Sequence, residues 1–154
     1  MLILLAASNI CWADSLYFKI GPTLNIPNGA ANKMFSLGLS ESITSLWDYQ
    51  FEVGTFTNLT NGSLLYWSLE VGPTLDFGAF YTKFLTGPAM ISYTNQYLNT
   101  AVQISSDLEM GLKDRRDITM GLGYKHFSNA GITSPNLGRD FLYLKLSIPL
   151  RLEW

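Results

Sequence analysis

The last thirteen residues alternate without a break. Leu142, Leu144, Leu146, Ile148, Leu150, Leu152 and Trp154 occupy every second position to the end of the chain. In a strand, residues two apart share one face, so this run presents a wholly apolar face. A soluble edge strand of that length would be an aggregation hazard. The same pattern is ordinary where one face of the strand meets lipid.

Composition agrees. Hydrophobic residues make up 47% of the 154 residues and charged residues only 14%, against about 25% charged in soluble domains. Nowhere do apolar residues approach the ~20 in a row that a spanning helix needs. High apolar content, scarce charge and alternating hydrophobicity together predict an all-β, eight-stranded antiparallel transmembrane β-barrel. The net charge of −2 and the lack of a basic patch give no reason to expect a nucleic-acid partner.

The start of the chain reads as a secretory signal over Met1 to Ala13, leaving residues 14–154 as one barrel domain. Leu2 to Ser8 is a short apolar core and Cys11-Trp12-Ala13 resembles a cleavage site. The positively charged leading region is missing, as in a signal shortened at its start. Cleavage after Ala13 removes Cys11, the only cysteine, and with it any disulfide or thiol chemistry. Ser8-Asn9-Ile10 before Cys11 does not make a lipoprotein context.

Eight strands are expected at about 16–26, 33–42, 47–57, 64–75, 80–93, 100–112, 118–128 and 142–154. In the third, Trp47, Tyr49, Phe51 and Val53 oppose Asp48, Gln50 and Glu52. The fifth alternates too poorly for its facing to be assigned. The sixth sets Val102, Ile104, Leu108, Met110 and Leu112 against Gln103, Asp107 and Glu109, with its phase slipping or broken at Ser106. Eight strands of about ten residues match the smallest transmembrane barrels, whose interior is filled by side chains. With both termini periplasmic, the seventh strand ends at the outer surface.

That seventh strand carries the chemistry. Its even positions are Ile118, Met120, Leu122, Tyr124, His126 and Ser128, so a base and a hydroxyl continue an otherwise apolar stripe. A site on the lipid face suits an enzyme whose substrate is a membrane lipid. A serine hydroxyl becomes nucleophilic when a base takes its proton, and an acid orients that base. If strands seven and eight form a hairpin whose paired residue numbers sum to 266, His126, the only histidine, faces Asp140. Directly opposite Cβ atoms lie about 5 Å apart, within reach of a short carboxylate. Failing Asp140, Asp107 or Glu109 on strand six are the nearest alternatives in barrel order. Ordinary interfacial polarity would account for the same residues without catalysis.

His126-Phe127-Ser128-Asn129-Ala130-Gly131-Ile132, followed by Pro135-Asn136-Leu137-Gly138, resembles the signature of the lipid A 3-O-deacylases, the PagL family. The dense match covers about residues 121–146. The resemblance implies an eight-stranded barrel of the bacterial outer membrane. It implies a serine esterase that hydrolyses the ester holding a hydroxyacyl chain at the 3-position of lipid A, without metal or cofactor. Its partners would be lipid A or lipopolysaccharide of the outer leaflet, and the outer-membrane assembly machinery through the last strand; a homodimer stays open. Carried over, His126 is the base, Ser128 the nucleophile and Asp140 the acid, where the family typically has glutamate. The backbone amides of Asn129 and Gly131, supported by Asn136, would form the oxyanion hole. A barrel acyltransferase is the alternative enzyme, needing an acyl pocket behind small interior residues such as Ser36, Gly38 and Ser40. A non-catalytic small barrel is the third reading, and it would call for longer loops. Acyl-chain preference is not legible.

If the final strand carries the insertion signal, deleting Trp154 should lower the yield of folded barrel. The check is the band that shifts on heating in unheated electrophoresis of membrane fractions; an unchanged yield would make the terminal aromatic incidental.

Overall fold

The computed structural model describes residues 13–24, 33–58, 62–92, 94, 98–134 and 137–150. Eight strands follow in order: β1 (Ser15–Pro22), β2 (Lys33–Thr44), β3 (Trp47–Asn58), β4 (Gly62–Asp76), β5 (Phe80–Ile91), β6 (Val102–Lys113), β7 (Thr119–Ser128) and β8 (Arg139–Pro149). Each pairs antiparallel with the next, and β8 pairs with β1 to close the barrel. Closure leaves no unpaired edge, which is what hydrocarbon demands of backbone groups. Short turns at residues 45–46, 77–79 and 114–118 gather at the end where β1 starts and β8 stops. The three longest connections, β1–β2, β5–β6 and β7–β8, join strands at the far end.

Alternation divides the wall as the sequence predicts. Phe51, Val53, Leu65, Trp67, Leu108, Met110, Leu122 and Leu144 face outward, while Gln50, Glu52, Glu70, Asp107, Glu109 and Lys125 are buried inside. The interior has two layers. Nearer the terminal end, Lys19 pairs with Glu52 at 2.9 Å and with Asp107. Lys125 reaches Glu70 at 2.6 Å and Glu52 at 3.3 Å, and Lys145 meets Glu109 at 3.0 Å. Above these charges sits an aromatic plug. Phe56 stacks on Tyr66 at 4.6 Å and on Phe141 at 4.7 Å, with the Phe127 ring edge-on at 5.0 Å.

Three expectations change. Strand β6 keeps one register with both neighbours throughout, so its phase does not slip at Ser106. That residue is a hydroxyl on the outer face of an unbroken strand. Strand β5 now has a facing: Phe80, Phe84 and Met90 point out, and Tyr81, Leu85, Ala89 and Ile91 point in. Its alternation is poor because its inner face is itself apolar, Ala89 and Ile91 belonging to the core cluster at the plug. Of the room that an acyltransferase would need behind Ser36, Gly38 and Ser40, the part at Gly38 is filled. A Cβ added to Gly38 would lie 2.3 Å from the Tyr17 ring, so the glycine exists to seat that ring. The expected continuation of the first strand to Ile26, the signal segment up to Trp12, and Leu152 and Trp154 at the end of the last strand lie outside the described residues.

The lumenal charges generate a prediction. Among the described residues Glu70 pairs with one cation, Lys125, and accepts from the Gln50 amide at 2.7 Å. Lys125→Met should lower barrel stability by about 3–5 kcal/mol, because it leaves a buried charge uncompensated. Removing both charges, Lys125→Met with Glu70→Gln, should recover a large part. Urea unfolding followed by the unheated electrophoretic shift measures both.

Candidate active site

The site is built on two adjacent strands whose facing is locked from within. In β7, Lys125 and Phe127 are fully buried, and in β8 Phe141 and Tyr143 are buried as well. Their neighbours His126, Ser128 and Asp140 must therefore point through the wall to its outer surface. The register pairs His126 directly with Asp140, and Tyr124 with Leu142 below it, as the expected hairpin has it.

His126 Nδ1 lies 2.6 Å from Asp140 Oδ1. The side chains are 35% and 14% exposed, so the imidazole is open on one side and its carboxylate is largely covered. Tyr124 donates its hydroxyl to the same Asp140 oxygen. The Asp140 backbone carbonyl accepts from Thr23 Oγ1 at 2.9 Å and from the Leu24 amide at 2.8 Å. The carboxylate is thus held by β7, and the Asp140 backbone by the two residues that follow β1. In the tautomer that donates from Nδ1 to Asp140, the ring lone pair is on Nε2. Asp107 and Glu109 are ruled out as the histidine's acid. They are 2% and 3% exposed, inside the barrel, and occupied by lysines.

Ser128 is half-buried, the last residue of β7, on the same face as His126. No hydrogen bond joins its hydroxyl to the ring among the described residues. Unliganded sites commonly tighten only around substrate. Past Ser128 the chain turns through two left-handed residues, Ala130 at φ 51° and Gly131 at φ 78°. For alanine that conformation costs on the order of 1 kcal/mol, and the surrounding bonds hold it. Asn129 Nδ2 donates to Asn99 Oδ1 at 2.6 Å, to the Thr133 carbonyl at 3.0 Å and to its hydroxyl at 2.9 Å. The Gly131 amide donates to Asn129 Oδ1 at 2.9 Å, so it is engaged within its own turn. Asn136 and Pro135 lie outside the described residues.

Several residues of the site escaped sequence reasoning. Tyr124 was placed on the correct face but given no role; its position two residues before His126 was the available signal. Gly138 is another. It has φ 64°, and a Cβ there would sit 2.8 Å from His126 Cε1. The glycine backs the imidazole at van der Waals range. Asn99, from the β5–β6 connection, carried no local signal at all.

Comparison with known proteins gives the family and the fold. The family described as lipid A 3-O-deacylase (PagL) matches residues 23–149. The crystal structure of the outer membrane enzyme PagL superposes with a TM-score of 0.64 at 21% identity, covering 88% of this chain and 99% of that one. The Yersinia pestis outer membrane protein Ail, in a phospholipid bilayer nanodisc, superposes at 0.54 with 10% identity over 89% and 99% of the two chains. The crystal structure of Ail, the attachment invasion locus protein of Yersinia pestis, gives 0.55 at 8% identity over 89% and 98%. At these identities the likeness is one of fold. No curated protein sequence matches.

Because the chain has a single histidine, its ring protons report on the site without ambiguity. Gly138→Ala should displace the imidazole from Asp140 while leaving the barrel folded. The Nδ1 proton resonance of detergent-solubilised protein should shift or vanish, with the heat-dependent electrophoretic shift retained. An unmoved resonance would show that the ring does not rest on Gly138.

Proposed function

The chain belongs to the lipid A 3-O-deacylase (PagL) family, and from that footing we propose that it is a serine esterase of the bacterial outer membrane that hydrolyses the 3-O-linked hydroxyacyl chain of lipid A. One observation carries the mechanism: a histidine hydrogen-bonded to a covered carboxylate, with a serine two residues on, all on the lipid-facing side of the wall. A substrate in the outer leaflet meets that face directly. The short turns gather at the terminal end, the periplasmic side in barrels of this kind, and this supports placing Ser128 at the outer leaflet.

In the proposed reaction His126 Nε2 takes the Ser128 proton as Oγ attacks the ester carbonyl carbon. Asp140 holds the tautomer and stabilises the imidazolium that forms. The bond between carbonyl carbon and sugar oxygen then breaks, and the sugar oxygen leaves with the proton from Nε2. A water, deprotonated by the same nitrogen, attacks the acyl-serine carbonyl; its bond to Oγ breaks, Ser128 takes the proton back from Nε2, and the free hydroxy acid leaves. No step calls for a metal or cofactor. The Asn129 amide, next to the nucleophile, is the first proposed oxyanion donor, a role worth on the order of 3 kcal/mol of barrier. The Gly131 amide would have to exchange its bond to Asn129 Oδ1 for the oxyanion, with Asn136 as proposed support. The signal at Met1 to Ala13 and recognition of the last strand by the assembly machinery belong to the same proposal. The acyltransferase reading loses support at Gly38, where the Tyr17 ring fills the space behind the glycine.

Mass spectrometry of lipid A from cells expressing the chain tests the activity, with loss of one hydroxyacyl chain expected. Ser128→Ala should fold normally and lower turnover at least about 1000-fold; unchanged activity would remove the serine mechanism. Asp140→Ala should cut kcat by roughly 100-fold or more with folding intact, and Asp140→Glu should keep activity. Full activity in Asp140→Ala would reduce the triad to a Ser-His dyad.

A further inference from the structure

Two hydroxyls lie on the outer wall beside the site. Across the β6–β7 ladder His126 faces Ser106, and across the β5–β6 ladder Ser106 faces Thr86. With Asp140 on the other side, this makes one polar row across four strands. The row descends into the bilayer. His126 lies next to the outer end of its strand at Ser128, whereas Ser106 lies further from the end of β6 at Val102 and Thr86 further still from the end of β5 at Ile91. Around it the outer surface is apolar, with Ile104, Leu108, Phe84 and Met90 exposed. A pair of hydroxyls below the rim and facing hydrocarbon is costly unless satisfied.

The pair satisfies itself in one direction. Thr86 Oγ1 donates its single proton to the Ser105 carbonyl at 3.0 Å. Thr86 and Ser106 hydroxyls lie 3.1 Å apart, so Ser106 is the donor in that bond. What remains on Ser106 is an acceptor, beside the base and without any other hydrogen-bond partner among the described residues. Ser128 pairs with Ile104, so Ser106 is its diagonal neighbour, with Cβ atoms on the order of 7 Å apart. An acyl chain esterified at Ser128 must run from the rim into the bilayer. On the β8 side it would meet Asp140, already closed by Tyr124; on the β6 side it passes Ser106.

We propose that Ser106, held by Thr86, accepts a hydrogen bond from the hydroxyl on the acyl chain being released, and so makes the site selective for 3-hydroxyacyl esters over unsubstituted ones. This rests on the esterase reading above. That hydroxyl stands two carbons past the ester carbonyl, a span that bridges Ser128 and Ser106. Ser106 is a specificity residue and takes no part in bond making.

The test is kcat/KM of full-length protein in mixed micelles on two lipid A substrates, identical except that the 3-O-linked chain carries or lacks its hydroxyl. Wild type should prefer the hydroxylated ester. Ser106→Ala should lower kcat/KM on it by roughly 3- to 10-fold, leave the unsubstituted ester unchanged and so erase the preference. Thr86→Val, which keeps shape and removes the acceptor that holds the Ser106 proton, should weaken the preference in part. Equal losses on both substrates, or a preference intact in both variants, would overturn the inference while leaving the esterase standing. Wild-type inactivity on both would overturn the esterase reading, and the inference with it.

Discussion

The lumenal ion cluster holds the barrel to a single parity. Three lysines, Lys19, Lys125 and Lys145, interleave with Glu52, Glu70, Asp107 and Glu109. Tyr17, Tyr66 and Tyr81 donate hydroxyls to the same carboxylates, and Tyr143 bonds both Asp107 and Glu109. Such a cluster need not stabilise the fold more than a well-packed apolar core would. Its effect is on alternatives. A slip of one residue in any strand that carries these charges would turn them into hydrocarbon, at up to about 2–4 kcal/mol for a lysine near the midplane. Because Lys125 cannot leave the lumen, His126 cannot enter it.

The aromatic plug repeats this logic nearer the site. Phe127 stands between His126 and Ser128 in sequence, and Phe141 follows Asp140. Both rings are packed against Phe56 inside the barrel. The rigid contacts of the site are therefore made on the opposite side of a wall one residue thick. The outer surface stays open to a lipid, while the rotamers that present His126 and Asp140 hang from a packed interior. The loop after Ser128 is secured differently, by the Asn129–Asn99–Thr133 bonds between two connections.

Much of this was legible in sequence because a barrel wall has a period of two and a strict inside and outside. Strand order, the facing of β7 and β8, and the His126–Asp140 register all follow from parity and one hairpin. Reading failed where a face did not match its usual polarity. β5 was opaque because Ala89 and Ile91 point into an apolar plug rather than a polar lumen. Ser106 looked like a fault in β6 because a hydroxyl on the lipid face breaks the pattern, although that departure marks where the wall approaches the site. Gly138 and Asn99 were beyond reach. Their contacts depend on how connections fold over strand ends, and no periodicity encodes that.

The position of the site along β7 is as informative as its facing. Hydrolysis in the proposed reaction needs two phases. The acyl ester arrives through hydrocarbon, but the acyl-serine is resolved by water, which the bilayer core does not supply. A triad deeper in the strand would form the acyl intermediate and hold it. One placed wholly in the loops would lose the lipid. Ser128 ends β7, and His126 keeps one side open while its acid is covered. Asp140 needs that cover. A carboxylate at the boundary is exposed to competing water, and the Tyr124 hydroxyl together with the imidazole takes its Oδ1 instead. The shorter side chain suits this arrangement. Direct cross-strand pairing puts a carboxylate of aspartate length on Nδ1, and the tyrosine below steadies the same oxygen.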